Sequence, residues 1–314
     1  MLSGKVSANA QNRYCGRFAP SPTGPLHFGS LISALASYLQ AKSQDGVWLL
    51  RMEDVDPPRE RLGAADQILR TLDTYGLHWD GPVIYQSQRH ERYEAILTQL
   101  TLKDYSFPCT CSRKDLSIAM RRANTLTYPG TCRRVKINIK QPHAIRLKVD
   151  TTVITFNDNI HGQITQQLDE TVGDFVIKRA DGLYAYQLAV VVDDADQGIT
   201  EVVRGSDLLD NTPRQIYLQQ CLGLPQPQYA HVPVATNAQH IKLSKQTFAT
   251  PLNAQNPNTV LYEALQFLGQ NPPPELAQSD ITSLLAWATQ AWDLNKIPKV
   301  LNKIAAAGYR KTDS

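Results

Sequence analysis

The sequence has no long apolar segment and little net charge. No apolar run approaches the roughly 18 residues that a membrane-spanning helix needs, which argues against a membrane protein. Residues 1–11 lack the apolar core of a signal peptide, so we expect a cytoplasmic protein. The 314 residues carry a formal net charge of only +3. That charge permits contact with nucleic acid but does not require it, since phosphate binding needs only a local basic patch.

Cysteine is also scarce, and its few positions are unevenly distributed. The chain has five cysteines, an odd number, and three of them lie close together in the sequence at Cys109, Cys111 and Cys132. In a cytosolic protein such a cluster favours a metal site over disulfides. The isolated Cys15 and Cys221 are interpreted as small buried hydrophobic residues. Internal repeats and low-complexity tracts are absent as well.

The apolar residues that are present follow an alternation of strands and helices. Residues 14–23 read as a strand and a turn rich in Pro and Gly, 26–42 as an amphipathic helix, and 47–52 as a buried strand. A strand–helix–strand unit predicts an α/β fold with a doubly wound parallel sheet. The pattern predicts further helices over 59–75 and 89–102. The length suggests one large domain or two.

The second half of the chain interrupts this alternation and then resumes it. Residues 108–149 are rich in Cys, Arg and turn formers, which indicates an insertion. Strands are predicted at 175–178 and 188–192. A helix is predicted to begin at 211–213, where Asn would be the cap and Pro the first helical residue. Residues 257–307 are predicted to be helical.

The first motif lies where the first predicted strand ends and the first helix begins. It reads Arg-Phe-Ala-Pro-Ser-Pro-Thr-Gly over residues 17–24 and continues into His27-Phe28-Gly29-Ser30. A parallel sheet binds ligands at this end, because the helix N-terminus presents N–H groups and the positive end of its dipole. His27 in the first turn can donate to a phosphate oxygen. Gly29 removes a side chain that would block a nucleotide.

A second motif, Lys-Leu-Ser-Lys-Gln, occupies residues 242–246. In this order, the two motifs resemble the HIGH and KMSKS signatures of class I aminoacyl-tRNA synthetases, in the form used by the glutamyl and glutaminyl branch. Ser30 stands where the HIGH motif has its second His. The resemblance implies an ATP site, with magnesium expected, formed by His27, Gly29, Ser30, Lys242, Ser244 and Lys245.

The resemblance also implies a reaction. When a carboxylate attacks the α-phosphate of ATP, negative charge builds up on the phosphate oxygens of the transition state, and a flexible lysine can compensate it. Lys245 is the candidate for that lysine, and His27 is the second catalytic candidate. The product of this step would be an acyl-adenylate.

The acid that is activated is indicated by the residues between the motifs. Segments 50–56 and 191–207 resemble glutamyl-tRNA synthetases, and the similarity covers most of residues 14–250. Glutamate has one ammonium and two carboxylates, so its pocket needs one anion and two cationic or donor groups, for which Arg suits carboxylates better than Lys. Which arginine binds which carboxylate stays open. The implied contacts are Arg17, Phe18, Ala19, Pro20, Ser21, Glu53, which would bind the ammonium, Tyr186 and Arg204.

The cysteine cluster resembles the zinc site in the acceptor-binding insertion of this family. A structural zinc takes four ligands, almost always tetrahedral. Cys109, Cys111 and Cys132 would supply three, and Tyr128 could be the fourth, because no His lies between the second and third cysteine. One zinc per chain would then hold the insertion together and take no part in the chemistry. Three clustered cysteines without a metal are the alternative.

Few residues follow the second motif, too few for the large helical domain with which a discriminating glutamyl-tRNA synthetase grips the anticodon. The chain therefore resembles a branch of the family that activates L-glutamate without tRNA and transfers it to the queuosine base in the anticodon of tRNA(Asp). The alternatives are a truncated glutamyl-tRNA synthetase that charges a tRNA 3′ end and a catalytically idle tRNA-binding paralogue.

These interpretations divide the chain into four parts. Residues 14–107 would form the first half of a Rossmann-type catalytic domain, 108–172 a zinc-containing insertion, 173–250 the second half with the KMSKS-like loop, and 251–314 a short helical region. We expect a monomer.

Overall fold

The computed structural model describes residues 13–125, 127–243, 250–252 and 255–305. In these ranges, no helix combines the length and the apolar character needed to cross a membrane. Ser244 and Lys245, both predicted to contact ATP, lie outside the described residues.

Strands and helices alternate along the chain. The strands are β1 (Cys15–Phe18), β2 (Val47–Met52), β3 (Ile84–Tyr85), β4 (Ser106–Cys109), β5 (Ala144–Leu147), β6 (Val153–Asp158), β7 (Gly162–Gln167), β8 (Phe175–Lys178), β9 (Glu201–Gly205), β10 (Gln228–Val232), β11 (Val234–Thr236) and β12 (Asn302–Ile304). The α-helices are α1 (Phe28–Lys42), α2 (Ala64–Thr74), α3 (His90–Leu102), α4 (Arg113–Ala123), α5 (Leu168–Thr171), α6 (Tyr186–Asp196), α7 (Thr212–Leu222), α8 (Pro257–Phe267) and α9 (Ile281–Ala291).

Two parallel sheets meet near the N-terminus of the described chain. One has the order β1-β2-β3, and the other has the order β7-β6-β10-β9, in which only the β6–β7 pair is antiparallel. The two adjoin where the backbone N–H of Thr200 donates to the carbonyl of Cys15 at 2.9 Å. From β1 the chain therefore runs to β2 on one side and later to β9 on the other. Such a reversal of strand order opens a ligand-binding crevice at the carboxyl ends of the strands.

The predicted strand–helix–strand unit is confirmed. β1 pairs in parallel with β2, and α1 packs against both strands through buried residues that include Leu31, Leu35 and Leu39. The predicted helix over 59–75 is shorter than expected. It begins at Ala64, because Gly63 before it has a left-handed backbone with φ of 74°.

The residues predicted as an insertion begin with an antiparallel sheet. β4, β5 and β8 form three antiparallel strands, and α4 follows β4 with Ser112 as its N-cap. Cys109 ends β4, so the cysteine cluster lies at the edge of this sheet.

The strand predicted at 188–192 is wrong, because these residues belong to α6. All five are buried in one apolar cluster, so the run shows neither period two nor period 3.6. A short, fully buried apolar run fits a helix as well as a strand. α6 extends beyond this run on both sides, and the polar residues Gln187, Asp193 and Asp194 next to the run are buried as well.

Two further expectations are corrected at helix ends. α7 begins at Thr212 with a proline in its first turn, but the side chain of Asn211 does not cap it and instead accepts from the amide of Gln187 at 2.5 Å. The helical prediction for 257–307 fails near its end, where β12 is a strand. Val234 donates its N–H to the carbonyl of Leu301 at 3.0 Å, so β12 satisfies the backbone of β11.

Candidate functional site

A cavity of about 580 Å³ lies at the carboxyl ends of β1, β2 and β9, where the two parallel sheets meet. It contains every predicted glutamate or ATP contact that the structure describes. These lining residues are Arg17, Phe18, Ala19, Pro20, Ser21, His27, Gly29, Ser30, Glu53, Tyr186, Arg204 and Lys242. The fold therefore brings together residues from segments that are far apart in the sequence.

His27 is held in a defined orientation at the start of α1. It is the N-cap residue, and its Nδ1 accepts from the backbone N–H of Ser30 at 3.3 Å. The hydroxyl of Ser30 accepts from the N–H of His27 at 2.8 Å and donates to its carbonyl at 2.7 Å. A neutral imidazole that accepts at Nδ1 carries its proton on Nε2. His27 thus has a donor nitrogen at the helix N-terminus, as an anion site requires.

The segment around the second motif packs directly on the first. A Cβ atom at Gly29 would lie 3.0 Å from the carbonyl oxygen of Leu243, which is closer than nearly all real Cβ contacts. On the far side of residues 244–249, Leu252 donates its N–H to the carbonyl of Leu26 at 2.9 Å. A side chain at Gly29 would therefore crowd the second motif, a reason for glycine that the sequence did not reveal.

Arg17 is buried and paired with a carboxylate that sequence reasoning missed. Its Nε lies 3.0 Å from Oδ1 of Asp194, and its Nη2 donates to Oδ2 at 3.3 Å. Asp194 also contacts Nη2 of the fully buried Arg51 at 2.8 Å. Burial raises the pKa of Asp194, but the two arginines outweigh it and leave the pKa below its ordinary value. This ion-pair network fixes Arg17 at the cavity wall.

Glu53 supplies a carboxylate to the cavity, and its side chain is only 9% exposed. Its backbone N–H donates to the carbonyl of Pro20 at 3.0 Å, which ties β2 to the first motif. Its nearest ion-pair partner is Nη2 of Arg51, at a long 3.5 Å. Burial raises the pKa of Glu53 above its ordinary value, although Arg51 and Arg17 pull it down. A bound ammonium group would favour its ionised form.

Arg204, on β9, has its donors directed to four different groups. Nε donates to Nε2 of His231 at 3.0 Å, and Nη2 donates to the hydroxyl of Thr212 at 2.8 Å and to the carbonyl of Leu208 at 3.4 Å. Nη1 donates to the hydroxyl of Tyr186 at 3.4 Å. The edge of the guanidinium that carries Nη1 therefore lies beside Tyr186, another predicted glutamate contact.

The cysteine cluster forms a second site at the edge of the antiparallel sheet. The sulfur atoms of Cys109, Cys111 and Cys132 all lie within 4.8 Å of one another, and the last two are 3.4 Å apart. The hydroxyl of Tyr128 lies 3.6 Å from the sulfur of Cys109 and accepts from the N–H of Cys132 at 2.7 Å. Sulfur ligands of a tetrahedral zinc, with Zn–S of about 2.3 Å, lie about 3.8 Å apart. The donor set could hold a metal of this kind.

The predicted site did not include the residues that lie behind the cavity wall and support its two arginines. Arg51 and Asp194 lie inside segments whose resemblance is visible in the sequence, so the family pattern could have pointed to them. Asp158 and His231 gave no signal, because a lone His in a strand has no motif around it. Their importance follows only from the fold, which places them behind Arg204.

Comparison with known proteins identifies relatives over nearly the whole chain. The family model described as the catalytic domain of class I tRNA synthetases (E and Q) matches residues 15–269. The glutamyl-Q tRNA(Asp) synthetase of Dechloromonas aromatica is 53% identical over 289 residues, which are 91% of this chain and 96% of the relative. The protein of the same name from Ectopseudomonas mendocina is 52% identical over 286 residues, 91% of this chain and 95% of the relative.

Solved structures agree with this relationship in fold. The glutamate-tRNA synthetase of Elizabethkingia anophelis has a TM-score of 0.80 at 24% identity, covering 94% of this chain and 68% of that one. The glutamate tRNA ligase of Elizabethkingia meningosepticum, in complex with its amino acid, has a TM-score of 0.78 at 25% identity with the same coverage.

Proposed function

Because the chain belongs to the glutamyl-Q tRNA(Asp) synthetase family of class I aminoacyl-tRNA synthetases, which are ligases, we propose that it activates L-glutamate with ATP and transfers the glutamyl group to the queuosine base in the anticodon of tRNA(Asp). Activation would not need tRNA. The proposal is supported by the convergence of the carboxylate of Glu53, two buried arginines and both motif segments on a single cavity.

In the activation step, a glutamate carboxylate oxygen attacks the α-phosphorus of ATP. A new O–P bond forms, the bond to the bridging oxygen of the β-phosphate breaks, and pyrophosphate leaves with its electron pair. His27 would donate to a phosphate oxygen from the N-terminus of α1, beside Gly29 and Ser30. Lys242 and, from outside the described residues, Ser244 and Lys245 would complete the ATP site. Magnesium is expected to accompany ATP.

Glutamate recognition would use charges of opposite sign on different walls of the cavity. Glu53 would receive the ammonium, and Arg17 and Arg204 would receive the carboxylates, with Tyr186 as an additional donor. The main chain and side chains of residues 18–21 would close the pocket along the first motif. A neutral amide in place of the substrate's side-chain carboxylate would leave an arginine without its charged partner, so glutamine should be rejected.

The cysteine cluster would hold one zinc per chain. Cys109, Cys111 and Cys132, with Tyr128 as the fourth ligand, offer the thiolate-rich donor set that zinc prefers. This metal would join β4 to the segment after α4. None of its four proposed ligands is among the residues that line the cavity. Its role is therefore structural. The four-part division of the chain and its monomeric state belong to the same proposal.

The activation half of the proposal is tested by ATP–pyrophosphate exchange with purified protein. We expect exchange that depends on L-glutamate, proceeds without any tRNA and is not supported by glutamine or aspartate. No exchange without tRNA, or equal exchange with glutamine, would contradict it. His27→Ala serves as the comparison, with exchange expected to fall by about a hundredfold because a phosphate donor is lost.

A further inference from the structure

Asp158 and His231 form a buried pair directly behind Arg204. The side chains of both are fully inaccessible to solvent, and neither residue belongs to the described lining of the cavity. Nδ1 of His231 lies 2.6 Å from Oδ2 of Asp158. A buried charged or polar pair needs complete hydrogen bonding, so its arrangement is informative about its role.

The two carboxylate oxygens of Asp158 have different hydrogen-bond partners. Oδ1 accepts the backbone N–H groups of Ile160 at 3.0 Å, His161 at 2.9 Å and His231 at 3.4 Å. Oδ2 is therefore the oxygen that faces the imidazole of His231. Because a carboxylate can only accept, Nδ1 of His231 must carry the proton.

This proton position determines what the other imidazole nitrogen can do. Burial lowers the pKa of His231 to about 4, even though Asp158 acts in the opposite direction, so the ring is neutral near pH 7. With the proton on Nδ1, Nε2 is a bare acceptor. It receives the N–H of Arg204 Nε at 3.0 Å, and the hydroxyl of Thr212, which itself accepts from Nη2 of Arg204, lies 3.2 Å from the same nitrogen. Asp158 thus controls the guanidinium through the tautomer of His231.

We propose that Asp158 and His231 are positioning residues for glutamate, which fix the Nδ1–H tautomer so that Arg204 is held with its Nη1 edge toward Tyr186 and the cavity. This inference rests on the proposed function, in which Arg204 binds a substrate carboxylate. Thr212 and the carbonyl of Leu208 anchor Nη2, and His231 anchors Nε. Without the anchor at Nε, the guanidinium can rotate and loses the geometry that carboxylate recognition requires.

Asp158→Asn is the sharpest variant. The three backbone N–H groups keep the amide oxygen at the Oδ1 position, so the amide NH₂ must face Nδ1 of His231. The imidazole then moves its proton to Nε2, where it opposes the N–H of Arg204. We expect the KM for glutamate in ATP–pyrophosphate exchange to rise about tenfold to a hundredfold, with the KM for ATP and kcat changed by less than about threefold.

Two substitutions at His231 distinguish the role of Nδ1, which contacts Asp158, from that of Nε2, which contacts Arg204. His231→Asn retains a donor for Asp158 but has no acceptor at the Nε2 position, whereas His231→Gln places an amide oxygen there. The KM for glutamate should rise more in His231→Asn than in His231→Gln. His143→Gln is the matched control, because Nδ1 of His143 contacts the carbonyl of Gln141 and His143 is not among the residues that line the cavity, so it should keep the wild-type KM.

The tautomer can be read directly in the wild-type protein by ¹⁵N NMR of the imidazole, which requires no variant to fold. A proton on Nδ1 and none on Nε2 supports the proposal, and the reverse overturns it. Folded Asp158→Asn and His231→Asn variants with the wild-type KM for glutamate would overturn it too. Failure of the proposed function looks different, since wild-type protein would then show no glutamate-dependent exchange at all.

Discussion

Charge inside the cavity is controlled by a small number of buried side chains, and the geometry of each matters more than its charge alone. Arg204 makes hydrogen bonds from all three of its nitrogens to His231, Thr212, Leu208 and Tyr186. A lysine at the same position would keep the positive charge but could not form this fork.

Arg204→Lys therefore tests geometry against charge. We expect the KM for glutamate to rise about tenfold to a hundredfold in ATP–pyrophosphate exchange, because the charged hydrogen bonds lose their alignment. Arg92→Lys is the control, since the side chain of Arg92 is 44% exposed and pairs with Asp196 far from the cavity lining. A wild-type KM in Arg204→Lys would show that charge alone suffices.

The lowered pKa of His231 leads to a prediction of how the stability of the protein depends on pH. Its pKa in the folded protein is about 4, below the ordinary value of 6.5, so the unfolded chain takes up the proton first as the pH falls. The stability that neutral His231 preserves is complete above about pH 6.5 and is lost progressively toward about pH 4. Between about pH 7.5 and pH 5 the loss should be about 2 kcal/mol.

Urea unfolding of the wild type and of His231→Gln over this range checks the expectation. The free energy of unfolding of the wild type should fall more steeply with acid than that of the variant. Parallel curves would show that His231 does not titrate differently in the folded and unfolded states.

At the scale of elements, the start of α1 and the second motif depend on each other. Gly29→Ala should favour the helix by about 1 kcal/mol through propensity. It should also displace the backbone at Leu243 and the imidazole of His27, since the new Cβ would lie 3.0 Å from that carbonyl oxygen and 3.2 Å from Nδ1 of His27, so the effect on kcat includes both groups. We expect normal thermal stability with kcat for exchange reduced about tenfold, because the second motif and His27 are misplaced. Unchanged kcat would contradict the role assigned to this contact.

The antiparallel sheet with its cysteine cluster gives a second element-scale prediction. Wild-type protein should contain about one zinc per chain, and Cys132→Ser should lose it and become more sensitive to protease over residues 108–135. Cys221→Ser is the control, because Cys221 is buried but lies outside the cluster. Equal metal content and equal protease sensitivity in the two variants would rule out this metal site.

Elements with a clear period could be predicted from sequence, and those without one could not. The β1–α1–β2 unit is correct because α1 shows helical spacing between two strands. Residues 188–192 are misassigned because a fully buried run carries no period, and β12 is missed because only its pairing with β11 defines it. The motifs predicted many of the residues that line the candidate cavity. They did not predict the pair Asp158 and His231 behind Arg204, because these two residues are 73 positions apart in the sequence.

At the scale of the whole molecule, the two parallel sheets place the cavity where the strand order reverses. β1 lies between β2 and the start of β9. The first motif, Glu53 and Arg204 therefore all lie at or just after the carboxyl ends of these strands, on the same edge of the sheets. This topology explains how segments from Arg17 to Lys242 come to line one cavity.

If the acceptor is a modified base in the anticodon, as proposed, the position of the transferred glutamate on the tRNA will show it. Purified protein, ATP and radiolabelled L-glutamate are incubated with tRNA(Asp) from cells with and without queuosine, and the product is cut into defined fragments under mild conditions. We predict label only on tRNA that contains queuosine, and only in the fragment that contains the anticodon. Label on the 3′-terminal fragment, or equal labelling of queuosine-free tRNA, would contradict the proposal.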